Sequence, residues 1–136
     1  MASVEKALPP LLQGVFFDFH WETAKSWSLP TAVSVIQFEK ISWHLGLPVW
    51  STQRGEMRFD LSPASVLANP SGFPYHWERI INADLGYALE MFQNGGRWVI
   101  LDGYHRLARH FIEKNILVPV RYHPDQFKER IVAKPD

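Results

Sequence analysis

Five consecutive residues, Asp102-Gly103-Tyr104-His105-Arg106, set a carboxylate, a glycine, an imidazole and a guanidinium where an apolar run gives way to a helical pattern. If a strand ends and a helix starts here, the first backbone N–H groups of that helix lack internal partners, and the macrodipole adds positive potential. An anion is stabilised at such a point. Gly103 permits close backbone approach and unusual dihedrals, and Arg106 carries a fork of donors matched to phosphate or carboxylate oxygens. His105 falls at the border between the apolar helix face and solvent, where an imidazole can donate to an anion or exchange a proton near neutral pH. The same residues also fit plain helix-start grammar, with Asp102 as N-cap, Gly103 as turn residue and Arg106 as a solvated charge. A phosphate site therefore requires an uncovered helix start and an Arg106 side chain that is not permanently occupied by an internal carboxylate.

The elements that position this turn are readable around it. Tyr104, Leu107, Ala108, Phe111 and Ile112 recur at i, i+3, i+4, i+7 and i+8, one apolar face, with Arg106 and His110 pointing nearly opposite and Asn115 as a stop. Tyr87 to Phe92 and Arg97 to Leu101 read as strands joined by an Asn94-Gly95-Gly96 hairpin turn, and Leu117 to Tyr122 as a further strand. Upstream, Ala32 to Phe38 has the β-branched enrichment of a strand. Ser62-Pro63 supplies an N-cap and a first helical position, Asn69-Pro70 ends that helix, and a second helix fits Tyr75 to Ala83. Ile41 to Asp60, broken by Gly46, Pro48 and Gly55, reads as a loop. These elements predict an α+β fold, a small mixed β-sheet with packed helices. The expected organisation is a flexible arm over 1–14, one domain over 15–124 and a peripheral polar tail over 125–136.

A chain of 136 residues, 46% hydrophobic and 21% charged, fits a single core. The absence of cysteine removes disulfides, thiolate nucleophiles and cysteine-ligated metal sites. His105 and His110 are five apart and do not share the helix face of a metal pair, so no metal held by protein groups alone is expected. No run approaches the roughly 18 apolar residues of a membrane span, and no signal-peptide pattern opens the chain, so a cytoplasmic protein without membrane contact is expected. Fourteen Lys and Arg against fourteen Asp and Glu leave no basic excess, which disfavours nucleic acid as the main partner. The aromatic share is 14%, with six tryptophans, more than a core of this size readily buries. Phe16, Phe17, Phe19, Trp21 and Trp27 are therefore candidates to seal the sheet, line a groove or form a homodimer interface.

The stretch Arg97-Trp98-Val99-Ile100-Leu101-Asp102-Gly103-Tyr104-His105-Arg106-Leu107-Ala108, followed by Val118-Pro119-Val120, resembles the signature of the ParB/sulfiredoxin superfamily. In that superfamily a strand enters a DG-x-H-R or G-x-x-R turn and continues into a helix and a strand. The resemblance covers residues 85–122 well and the first half in outline. Sulfiredoxins need a catalytic cysteine in this turn, where Tyr104-His105 stands, so that chemistry is excluded. ParB proteins carry a G-E-R-R-type motif, matched only in part by Gly103, Arg106 and Ala108, and a CTP-driven DNA clamp is not expected. The free serine kinases of the superfamily carry D-G-H-H-R, from which this chain departs only at Tyr104.

That last similarity implies nucleotide phosphates, from ATP, ADP or CTP with Mg2+ bridging them, at Gly103, Tyr104 and Arg106. Asp102 would then be a catalytic or metal-orienting carboxylate and His105 a proton-handling group. The superfamily outline also turns the loop after the first strand toward the motif, which adds His44 as a catalytic candidate and Arg54 as a phosphate-binding one, with Trp43 and Glu56 nearby. The expected partner is a phosphorylated small molecule, and any activity would be that of a phosphotransferase or phosphohydrolase. The competing expectation is a non-catalytic regulatory module, antitoxin-like or an adaptor, that keeps the turn as scaffold. A ParB-like DNA-processing protein is the third, disfavoured by the charge balance and by the lack of a carboxylate cluster with metal spacing.

Overall fold

Four strands form the centre of the computed structural model, which describes residues 10–17, 19–53 and 58–133. They are β1 (Ser34–Gln37), β2 (Leu89–Asn94), β3 (Arg97–Asp102) and β4 (Leu117–His123), in the order β1-β4-β2-β3. β1 lies antiparallel to β4, β3 antiparallel to β2, and β2 parallel to β4, so the sheet is mixed and the fold is α+β as expected. Gly95 and Gly96 both adopt positive φ, 62° and 84°, between the paired residues Asn94 and Arg97. Two positive φ angles match the turn to the right-handed twist of the flanking strands, which glycine permits without steric cost.

Three helices pack on the sheet: α1 (Pro63–Ala68), α2 (Pro74–Ile81) and α3 (Tyr104–Glu113). Ser62 caps α1, its side chain accepting from the Ser65 N–H, with Pro63 at the first helical position where its missing donor costs nothing. After β1 come two short 3-10 turns, Phe38–Lys40, which starts where the expected strand still ran, and Ser42–Gly46, inside the expected loop. The main core joins Leu89 and Met91 of β2, Val118 and Val120 of β4 and Ile100 of β3 to Val66, Ile80, Leu107 and Ala108 of the helices. Met91 and Phe92 are neighbours in β2 and so face opposite sides. Phe92 accordingly belongs to a second cluster with Phe17, Leu29 and Ile131.

That cluster and a third one on the same face move the expected boundaries outward at both ends. Leu12, assigned to the arm, is fully buried with Val15, Leu47, Phe59 and Val99. Ile131, assigned to the tail, is fully buried as well, and the Ala133 N–H donates to the His20 carbonyl at 2.9 Å. A sheet whose second face carries Phe92 and Val99 needs cover there, and the two terminal segments supply it. Helix α3 departs from its expected face too. Phe111 remains 52% exposed, whereas His110, expected outward, is 3% exposed. Lys114 takes the left-handed conformation (φ 57°) that ends the helix, and Asn115 folds back with its N–H on the His110 carbonyl and its amide against His110 Nδ1.

Candidate functional site

The register of the β2–β3 hairpin sets the site. Glu90 lies opposite Asp102 and Met91 opposite Ile100, so Leu101 is an extra residue, a bulge in β3. The bulge brings Asp102 across from Glu90 at the end of the sheet, and the chain then turns through Gly103, at φ 121°, into α3. A Cβ at Gly103 would lie 2.5 Å from Leu89 Cδ2, so both the dihedral and the space require glycine.

Asp102 is not the N-cap. Gly103 holds that position without a side-chain cap, and Asp102 Oδ2 instead accepts from Trp27 Nε1 at 2.8 Å and from Arg106 Nη2 at 2.9 Å. The first backbone bond of α3 runs from the Leu107 N–H to the Gly103 carbonyl, 2.8 Å. The N–H groups of Tyr104, His105 and Arg106 thus have no intrahelical partner. Among the described residues no side chain accepts from them.

Tyr104, His105 and Arg106, which carry these amides, line a groove of about 840 Å3 together with Arg79 and Arg121, the acidic Glu90 and Asp102, and the aromatic Trp27, Trp50 and Tyr87. The three guanidiniums differ in how many donors they have already committed. Arg121 uses all three of its nitrogens, bridging both Glu90 oxygens and donating to the carbonyls of Ser26, Leu29 and Thr31. Hydrogen bonding to Glu90 raises its pKa further above the usual arginine value. Arg106 is not free, as a simple phosphate clamp would require, because Asp102 holds it. It commits only Nη2, however, out of five N–H donors. Arg79 donates from Nη1 to the Tyr75 hydroxyl at 3.4 Å and has no carboxylate partner among the described residues.

His105 lines the groove but does not titrate near neutrality. Its ring stacks on Trp50 at 4.1 Å and its Nε2 lies 3.2 Å from His76 Nδ1. Burial, reinforced by Arg79, His76 and Arg106, pushes its pKa down to about 3, so at pH 7 it is a neutral imidazole and a weak base. Tyr104 offers the groove its N–H alone, because its hydroxyl is buried and donates to the Ile100 carbonyl at 3.2 Å. Burial raises that hydroxyl's pKa beyond the ordinary tyrosine range.

His44, expected to face the motif as a catalytic group, is structural. It is fully buried, Nδ1 donates to the Ile41 carbonyl at 2.8 Å, and Nε2 accepts the Ile100 N–H at 3.1 Å. With Tyr104 it satisfies both backbone groups of Ile100 on the edge strand β3, a position that otherwise invites unwanted pairing. Burial lowers its pKa to about 4. Arg54 and Glu56 lie outside the described residues.

Arg79, Tyr87, Glu90 and Arg121 escaped sequence reading, whereas Trp27, one of the aromatic candidates for a groove, does line it. A signal existed for Glu90 and Arg121, since each is a charge inside an apolar strand run, and a charge in a sheet covered on both faces must be paired. The bond of Trp27 to Asp102 had no such signal, because the two are 75 residues apart. Comparison with family models, with curated proteins and with solved structures returned no match.

Proposed function

We propose that the protein binds a phosphate-bearing small molecule, with a nucleotide as the leading class, in the groove at the start of α3. One observation carries this: three partnerless helix amides and two guanidiniums with donors in reserve border the same open groove. Oriented amides and the helix dipole favour an anion, and Arg79 and Arg106 add charge-assisted donors. An incoming phosphate would share Arg106 with Asp102 rather than find it empty. Trp27 and Tyr87, 63% and 65% exposed on the same groove, offer aromatic faces suited to a planar base. The resemblance of residues 97–108 to the ParB/sulfiredoxin turn supports the same class of ligand.

Magnesium arriving with a polyphosphate would meet one carboxylate oxygen without a partner, Asp102 Oδ1, and would otherwise be held by the phosphates and water, its usual mode of binding; it would neutralise phosphate charge there. The support extends to binding rather than turnover, because His105, the expected acid or base, is held neutral and committed to His76.

Thermal unfolding with ATP, ADP, CTP, GTP and inorganic phosphate, each with and without magnesium, tests the proposal. A ligand selective for the folded chain stabilises it by about 2.7 kcal/mol at a hundredfold excess over Kd, an upward shift of several degrees. Arg79→Ala and Arg106→Ala should each weaken that response. No response to any phosphate compound would overturn the proposal.

A further inference from the structure

His76, Trp50 and His105 form a three-ring stack beside the groove, with His76 on Trp50 at 4.5 Å and 6° and His105 on Trp50 at 4.1 Å and 17°. The rings are linked edge to edge as well. His76 Nε2 lies 3.1 Å from the Ser51 carbonyl, and His76 Nδ1 lies 3.2 Å from His105 Nε2. A carbonyl can only accept, so His76 Nε2 carries a proton. In a neutral ring Nδ1 is then the bare nitrogen and must accept, which places the proton of the second bond on His105 Nε2. The second nitrogen of His105, Nδ1, is left as a lone pair.

Burial favours the neutral form of both rings, lowering His76 as well as His105. His105 Nδ1 has no hydrogen-bond partner, and the buried polar side-chain atom left unpartnered among the described residues is His110 Nε2, not this one. His105 Nδ1 therefore reaches solvent, and His105 lines the groove. The amides and guanidiniums around it are all donors, so an acceptor here complements a different part of the ligand.

The geometry points to His105 Nδ1 as a fixed hydrogen-bond acceptor for the ligand, so that the molecule bound at α3 carries a hydroxyl or N–H donor close to its phosphate. The chain from the Ser51 carbonyl through His76 sets the tautomer, and the Trp50 face holds the ring plane. His76 is in this sense a positioning residue. The phosphate end of such a ligand rests on the binding groove proposed above. A simple phosphate ester without a nearby donor would leave the lone pair facing its own negative charge, whereas a hydroxylated phosphate ester would not.

Two compounds separate these cases at pH 8, where both are dianions without a P–OH group: glycerol 3-phosphate, which has hydroxyls beside the phosphate, and propyl phosphate, which has none. In long-range proton–nitrogen NMR spectra of the whole chain labelled at histidine, both rings should be protonated on Nε2. The His105 Nδ1 resonance should move with glycerol 3-phosphate and stay with propyl phosphate. Glycerol 3-phosphate should bind roughly 3- to 10-fold more tightly, the worth of one net hydrogen bond. In His105→Phe, which keeps a ring on Trp50 without nitrogens, that ratio should fall to one. A proton on His105 Nδ1 would overturn the inference, and so would equal affinities, which leave the phosphate site standing. Binding of neither compound, nor of inorganic phosphate, would overturn the phosphate site and the donor-bearing ligand together.

Discussion

Glu90 with Arg121 and Asp102 with Arg106 are chemically the same pair, and the two carboxylates sit opposite each other on β2 and β3. They nevertheless differ in kind. Arg121 grips both oxygens of a buried glutamate and three backbone carbonyls of the segment 26–31, leaving no nitrogen unused. Buried His123 completes the arrangement, with Nε2 3.2 Å from Glu90 and Nδ1 2.7 Å from the Thr31 hydroxyl. Arg106 makes one contact to one oxygen, at the edge of an open groove. Residue type says little about which arginine is a clamp and which can receive a ligand; the number of uncommitted donors decides it.

The largest effect should come from breaking the clamp. Arg121→Met leaves Glu90 buried without its cation and releases three carbonyls, and it should destabilise the fold by about 3–5 kcal/mol in urea unfolding. Stability should also fall with acid through the same pair. Burial alone would raise the Glu90 pKa, but hydrogen bonds from Arg121 and His123 outweigh it and hold the group below its ordinary 4.5. Its contribution is thus present above 4.5 and is lost as the pH falls through and below that value. A loss in Arg121→Met of less than about 1 kcal/mol, the level of an exposed pair, would erase the distinction.

Histidine gives a second contrast, between a ring built into the fold and one facing the groove. His44 must stay neutral to accept from Ile100, and its pKa is lowered to about 4, while an unfolded chain takes up that proton at its ordinary 6.5. The stability it contributes is present above 6.5 and is lost as the pH falls from 6.5 to about 4, by about 3 kcal/mol. His44→Gln should be less stable at pH 7 yet show a flatter decline over that interval, measured by urea titration at each pH. An unchanged slope would mean that His44 protonates freely in the fold. His105, His76 and His110, whose pKa values burial also lowers, contribute to the remaining slope.

What could be read in advance follows from how local each feature is. The Asn94-Gly95-Gly96 turn, the Ser62-Pro63 start of α1 and the strand–Gly103–helix transition are encoded within a few residues, and all three are found. The roles of side chains inside these elements were less legible. Asp102 has the type and place of an N-cap, but Trp27, far off in the chain, claims its carboxylate together with Arg106. His44 was assigned to the motif by the outline of a superfamily, and its two hydrogen bonds instead join a 3-10 turn to β3. His105 and His76, 29 residues apart, become partners because both lie on the same tryptophan, a contact that no periodicity encodes.

The smallest structural effect, and the sharpest test of the opening contrast, is expected at Arg106. Its bond to Asp102 spans one helical turn beside a groove, a geometry worth roughly 0.3–0.5 kcal/mol when exposed and still modest when partly covered. Arg106→Met, which keeps much of the aliphatic packing, should therefore cost no more than about 1 kcal/mol in urea unfolding, while its thermal shift with phosphate compounds falls below that of the parent chain. A cost equal to that of Arg121→Met would make Arg106 a second clamp, and the groove would lose one of its two available guanidiniums. A small cost with an undiminished ligand response would place the anion on Arg79 and the helix amides alone. The joint outcome separates the two roles because stability reports the donor that Arg106 has committed, whereas ligand response reports the four it has not.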